Sequence, residues 1–309
     1  MRAGTDFRAW MSGVQARVEI ALDRALPAAD IIPAQLHEAM RYAVLGGGKR
    51  VRPLLAFAAG EAAGADGALV EHVACAVECV HAYSLVHDDL PCMDDDVLRR
   101  GKPTLHVAYG EAVALLAGDS LQSLAFQIIA DAPFGGRAAE AAGGRGSGQA
   151  ASPAQMLGLL AHACGSRGMA GGQAIDLDAV GKDIGLAALE QMHVHKTGAL
   201  LRAAVLLGAQ CGTASAKSLE QLDHYARAIG LAFQVVDDVL DYEAPTASLG
   251  KTAGKDAAQG KPTYVSLMGL APAREFAGEL RRRALDALRD VPGSTRLAEL
   301  ADFIVYREF

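Results

Sequence analysis

Apolar residues recur at helical spacing along most of this chain, and short Gly or Pro breaks separate the periodic stretches. An amphipathic pattern over 6–26 ends before Pro27, and a second over 33–45 stops at Gly46-Gly47-Gly48. A third covers 53–63. A fourth covers 67–89 and cannot continue through Pro91. Further helices are predicted at 104–131, 153–164, 185–210, 215–243, 262–269, 272–290 and 294–308. No stretch alternates at the period of two that marks a strand, so the expected fold class is all-α. Gly135 to Ser152 is rich in Gly, Ala and Ser and reads as a flexible surface loop between two helices. It does not read as a boundary, and no internal repeat of fixed period is present, so residues 1–309 are expected to form a single domain.

Composition supports this reading. The chain is 51% hydrophobic, 21% charged and only 5% aromatic, which allows a sizeable core and favours helices over a β-sandwich. A net charge of −7 argues against a nucleic-acid partner or an anionic membrane surface. The five cysteines (Cys75, Cys79, Cys92, Cys164, Cys211) show no paired CxxC spacing and are expected to be reduced and buried. The first residues lack the apolar core of a signal peptide, and the stretch 146–166, free of Asp, Glu, Lys and Arg, is too polar for a membrane span. A cytoplasmic protein without a membrane anchor is expected.

Two aspartate clusters interrupt the apolar pattern. Gln234, Asp237, Asp238 and Asp241 fall at i, i+3, i+4 and i+7, one polar stripe on a helix whose other face carries Leu222, Tyr225, Ile229, Val236 and Leu240. No Lys or Arg lies between Arg227 and Lys251 to neutralise it. Like charges at this spacing cost a few tenths of a kcal/mol per pair, roughly, unless a cation relieves them. The other cluster begins at Asp88-Asp89, where His81, Ser84 and Asp88 share a helix face. Pro91 then turns the chain so that Asp94-Asp95-Asp96 can fold back beside Asp88. A DDx4D and a DDxxD motif on separate helices suit magnesium, which takes one or two carboxylates and completes its octahedron with water and phosphate oxygens.

Basic residues supply the complementary half. Lys49, Arg50 and Arg52 follow the glycine run, Arg99 and Arg100 follow the first acidic cluster, and Lys196-Thr197, Lys251 and Lys261 lie further on. Arg binds phosphate through paired N–H groups and Lys as a point charge. The glycine run is not a P-loop, since it lacks the GxxxxGK[ST] spacing and follows no strand. Together these groups point to an enzyme acting on a diphosphate.

On these residues the chain resembles the trans-isoprenyl diphosphate synthases, and within them the bacterial farnesyl diphosphate synthases. The likeness runs through GGGKRVRP (46–53), HAYSLVHDDLPCMDDDVLRRGKPT (81–104), GMAGGQAIDL (168–177), HKTGALLRAA (195–204), FQVVDDVLDY (233–242), LGK (249–251) and GKPTY (260–264). The resemblance implies an all-α bundle of long, mostly antiparallel helices around a deep central cavity, usually a homodimer. It implies Mg²⁺ as cofactor, about three ions per site, held by Asp88, Asp89 and Asp94 and by Asp237, Asp238 and Asp241. By the same resemblance, Lys49, Arg52, His81 and Arg100 would hold isopentenyl diphosphate. Arg99, Lys196, Thr197, Gln234, Lys251 and Lys261 would contact the allylic diphosphate, with Arg99, Lys196, Thr197 and Gln234 closest to the chemistry. Gln173 and Asp176 match a motif that lines the cavity. Where the family often ends in a basic tail that closes over the site, this chain ends Tyr306-Arg307-Glu308-Phe309, with Arg307 the basic group there.

The expected reaction is condensation of isopentenyl diphosphate with dimethylallyl or geranyl diphosphate, by ionisation, condensation and elimination. Helical side chains lean toward the N-terminus, so Ser84 and Tyr83, four and five residues before Asp88, should form the floor that sets product length. An aromatic at that position and two extra residues in the first motif go, by the resemblance, with a C15 product. The alternatives are a C10 or C20 synthase of the same family, or a catalytically silent regulatory or diphosphate-binding subunit.

Overall fold

The computed structural model describes residues 5–134, 151–182, 184–243 and 261–307. Its helices are α1 (Thr5–Ala25), α2 (Ala34–Val44), α3 (Val51–Ala62), α4 (Gly67–Asp88), α5 (Leu105–Tyr109), α6 (Glu111–Asp131) and α7 (Pro153–Cys164). They continue as α8 (Met169–Ala179), α9 (Leu186–His193), a π-helical turn (Val194–Gly198), α10 (Ala199–Gln210) and α11 (Ala216–Glu243). α12 (Tyr264–Met268), α13 (Leu270–Ala287) and α14 (Thr295–Tyr306) complete the all-α fold. Most of the predicted 135–152 loop, and Lys251, lie outside the described residues.

α4 is the axis of the bundle. It is apolar nearly all round, as a helix must be when other helices surround it, and it packs on α3, α6 and α10. Its start is capped by Asp66, whose Oδ1 accepts from Ala68 N at 2.9 Å. α4 and α6 are each long and apolar enough to cross a membrane by length and composition, but α4 is spent on the core. α11, the second aspartate helix, packs along α13 and α14. There the buried Tyr225 hydroxyl donates to Leu297 O at 2.7 Å.

Three expectations change. The 104–131 helix is two helices, because Gly110 takes φ +87° between α5 and α6. Residues 169–179, glycine-rich and read only as a motif, form α8. Cys92 is exposed on the turn after α4, while the other four thiols are buried. The one pairing of strands among the described residues is a minimal hairpin, Leu98–Arg99 with Lys102–Pro103. Arg100 and Gly101 form its turn at φ +52° and +75°, the positive angles that a tight primed turn requires.

Candidate active site

A cavity of about 740 Å³ opens between the ends of α4 and α11. α4 and the turn after it contribute Asp88 and Asp94 to one wall, and α11 contributes Gln234, Asp237 and Asp241 to another. The chain reverses after Asp88 because Asp94 N donates to Asp88 O at 2.8 Å, which brings the two carboxylates onto the same wall. Burial and the neighbouring Asp94 and Asp89 push Asp88 up to about 6, against the pull of Lys196 and Arg99.

The six aspartates are not placed alike. Asp89 is buried and takes a two-pronged contact from Arg99, with Nε 2.7 Å from Oδ2 and Nη2 2.5 Å from Oδ1. Asp238 is also buried. It accepts from Gln234 Nε2 at 3.0 Å and from the backbone N of Tyr264 at 2.8 Å, the first residue of α12. Neither borders the cavity, whereas Asp88, Asp94, Asp237 and Asp241 do.

Arg52, His81 and Arg100 line one end. His81 is held well below the ordinary imidazole range by burial and by Arg52, Arg100 and Arg99, so it stays neutral beside them. Gly46, Gly47 and Gly48 all take positive φ, and this loop offers Gly47 O to Arg100 Nη1 at 2.6 Å. Lys49 lies outside the lining but close enough to Arg307 and Asp237 to feel both; partial desolvation and Arg307 lower its pKa. Arg50, its neighbour in the same motif, turns inward to Glu78 at 2.6 Å and Glu19 at 2.7 Å and is structural.

Lys196 and Thr197 reach the cavity from the π-helical turn, an irregularity that often marks functional sites. Lys196 Nζ donates to the buried Asp176 at 2.6 Å, so Asp176 orients that lysine and does not itself line the cavity. Lys261 links Asp94 at 3.1 Å and Asp176 at 3.8 Å. Thr197 Oγ1 donates to Gln234 Oε1 at 3.2 Å. Gln173 lines the cavity, and both polar atoms of its buried amide lack a protein partner, as expected of a group that meets a polar ligand. Tyr83 and Ser84 are in the same lining. Met93, Met169 and Phe233 join them, as does Asp96; these four were not singled out as site residues from the sequence. The α8 contributors Met169, Ala170, Gln173, Ala174 and Leu177 fall on one helical face, a signal that the glycines of that segment obscured. Arg307 is buried over the Phe233 ring, 4.0 Å from its centroid, and pairs with Asp237.

The donor set suits magnesium: carboxylates from two separate elements line one cavity, with Arg99, Lys196 and Lys261 in the same lining. Among the described residues no three carboxylate, imidazole or thiol groups gather into a closed metal cage. A hard ion here would take one or two carboxylates and draw its remaining oxygens from water and a phosphate.

The Polyprenyl synthetase family profile matches residues 33–290. This chain belongs to that family. Among relatives of this polyprenyl synthetase is the Farnesyl diphosphate synthase of Escherichia coli, 49% identical over 87% of this chain and 88% of its own. The chloroplastic Heterodimeric geranylgeranyl pyrophosphate synthase large subunit 1 of Arabidopsis thaliana is 46% identical over 98% of this chain and 80% of its own. The solved geranyltransferase of Helicobacter pylori, complexed with magnesium and isoprenyl diphosphate, superposes with a TM-score of 0.81 at 30% identity, covering 98% of each chain. The chain is therefore a transferase of the prenyl synthases, and relatives of similar identity carry names with different product lengths.

Proposed function

We propose that this polyprenyl synthetase joins isopentenyl diphosphate to dimethylallyl and geranyl diphosphate and releases farnesyl diphosphate, with all residues 1–309 in one domain around the cavity. The observation that carries the reading is that carboxylates from α4 and its following turn and from α11 line one cavity, together with Arg52, His81, Arg100, Tyr83 and Ser84.

In this reading Arg52 and Arg100, with Lys49 at the rim, hold the diphosphate of the isopentenyl substrate. Neutral His81 donates a hydrogen bond without adding a further positive charge. Lys196, Arg99 and Lys261 neutralise the allylic diphosphate as its C–O bond breaks, and Lys251, outside the described residues, is assigned to the same task. Asp88, Asp94, Asp237 and Asp241 are the groups that would hold magnesium, expected as about three ions. Bound magnesium supplies Lewis acidity toward the leaving diphosphate. Asp89 and Asp238 support these walls by orienting Arg99 and Gln234. Thr197 and Gln234 place polar atoms beside the allylic end, where positive charge develops. The double bond of the isopentenyl substrate attacks that carbon, and the released diphosphate takes the proton that the condensed cation loses, which completes the product.

Tyr83 and Ser84 lie about one turn below Asp88, roughly 6 Å down the α4 axis at 1.5 Å per residue. The growing chain reaches this level, and an aromatic there favours C15 over C20. The protein is proposed to work in the cytoplasm as a homodimer. Leu115 and Leu116 on α6 and Val107 on α5 are exposed, an apolar face suited to a second copy.

Purified protein incubated with Mg²⁺, isopentenyl diphosphate and dimethylallyl or geranyl diphosphate is expected to yield C15 alcohol on chromatography after dephosphorylation. A C20 main product overturns the length assignment, and no product under any pairing overturns the enzyme reading. Light scattering should give twice the monomer mass.

A further inference from the structure

A second cavity, also about 740 Å³, lies behind the π-helical turn. The two cavities share that turn as a wall: Lys196 and Thr197 face the first, while Val194, His195 and Gly198 face the second. Its lining combines two chemistries. Leu159, Leu231 and Leu280 give it an apolar surface, and Arg167, Arg202, Arg227 and Arg283 surround that surface. Glu190 is the one carboxylate in the lining among the described residues. Asp223 pairs with both Arg202 and Arg227, so two guanidinium groups share one neutralising charge. Arg283 pairs with Glu279 from the preceding turn of α13. The surplus is cationic, in a protein whose net charge is −7. Guanidinium groups around an apolar pocket match an anionic head on an apolar tail.

We propose that this second cavity binds an amphiphile consisting of a phosphate head and a single hydrocarbon chain, and that its occupancy shifts the π-helical turn that carries Lys196 and Thr197. The binding claim stands on the second cavity alone; the claim about the shift rests on the proposed role of Lys196 and Thr197. The turn has little room to absorb a push locally. A Cβ on Gly172 of α8 would lie 2.1 Å from Lys196 N, and one on Gly230 of α11 would lie 3.2 Å from Gly198 Cα. Backbone on both sides thus packs tightly on the turn, so a ligand pressing on Val194 and His195 displaces the turn together with the helix behind it, and Lys196 and Thr197 move with it. The coupling needs differential binding to two positions of the turn, which filling this cavity can supply.

Farnesyl monophosphate and dodecyl phosphate, both below their micellar range, serve as probes by calorimetric titration without Mg²⁺, with farnesol and inorganic phosphate as controls. Saturable binding of the amphiphiles and none of the controls is expected. Preference between the two probes distinguishes an isoprenoid from a straight-chain source. Arg167→Glu and Arg283→Glu, both at exposed positions outside the first cavity, should each weaken binding about tenfold or more, a change of 1.4 kcal/mol. Lys261→Ala, in the allylic part of the first cavity, should leave it unchanged. Binding lost with Lys261→Ala, or untouched by both charge reversals, places the amphiphile in the first cavity and overturns the proposal, as does no saturable binding. Under turnover, farnesyl monophosphate should depress kcat at saturating allylic substrate in the wild type and have less effect in Arg167→Glu. Binding without any change in kcat overturns the coupling. If the chain proves to lack prenyl transfer altogether, the titrations still decide the site.

Discussion

Arg307 pairs with Asp237 through Nη2, donates to Phe233 O at 3.1 Å and stacks its guanidinium over the Phe233 ring. A cation from the far end of the described chain thus sits on the carboxylate assigned to the second acidic wall. A guanidinium and a magnesium ion compete for one carboxylate. Arg307→Ala should therefore lower the Mg²⁺ concentration needed for half-maximal activity by roughly tenfold, the worth of one charged hydrogen bond of about 1.5 kcal/mol. A magnesium titration giving an unchanged or higher requirement would falsify the competition.

Neighbouring aspartates on α11 should respond differently to the same substitution. Asp238 is buried between Gln234 and the backbone of Tyr264, so Asp238→Ala should cost about 2–3 kcal/mol of stability by stranding buried donors. Asp237→Ala, at a half-exposed position in the cavity, is tested together with Arg307→Ala so that no buried guanidinium is stranded; it should leave the urea midpoint of that background nearly unchanged and abolish turnover. Equal losses of stability in both variants would contradict the division.

Product length tests the floor. Ser84→Phe fills the cavity one turn below Asp88 and should shift the product toward C10, while Tyr83→Ala should admit C20. C15 alone from both variants, read by chromatography, sinks the role given to these residues.

His193 gives a pH dependence. Its ring is buried and stacked on Tyr264 at 5.6 Å, and neither nitrogen has a protein hydrogen-bond partner. Burial lowers its pKa to about 4, the nearby Lys196 in the same direction and Asp176 against it. The folded pKa lies below the unfolded value, so the unfolded chain binds the extra proton first. The resulting stability is complete above about pH 6.5 and is lost as pH falls toward 4, about 3 kcal/mol in all. Urea melts at pH 7 and pH 5 should show the loss in the wild type and a smaller one in His193→Phe. Identical pH slopes would assign the loss to other groups.

Backbone contact at the π-helical turn can be tested directly. Gly172→Ala places its Cβ against Lys196 N, and backbone cannot yield as a flexible side chain can. Activity should fall by more than an order of magnitude, with KM for the allylic substrate rising because Lys196 is displaced. Wild-type kinetics would show that α8 and the turn separate easily.

Much of this was legible in the chain. Helical periodicity marked the long elements, since a helix packed on others must present apolar residues at fixed spacing. The aspartate clusters stood out because carboxylates placed after apolar helices need a cation. Both signals are local, and local spacing determines which residues share a helix face. It could not show that α8 is a helix, because Met169 and Gln173 are separated by Gly171 and Gly172, whose use is close backbone packing. It also could not rank adjacent carboxylates. Asp88 and Asp89, or Asp237 and Asp238, look alike in a motif, and only the position of Arg99 and of Tyr264 N decides which of each pair turns away from the cavity. The sequence determined the helices, the two acidic walls and the cations available to them. The tertiary structure alone decided which side chains meet in the cavity, that Arg307 reaches Asp237 and that a second basic cavity backs the π-helical turn. These contacts join residues far apart in the chain, and no spacing rule along a single helix carries information about them.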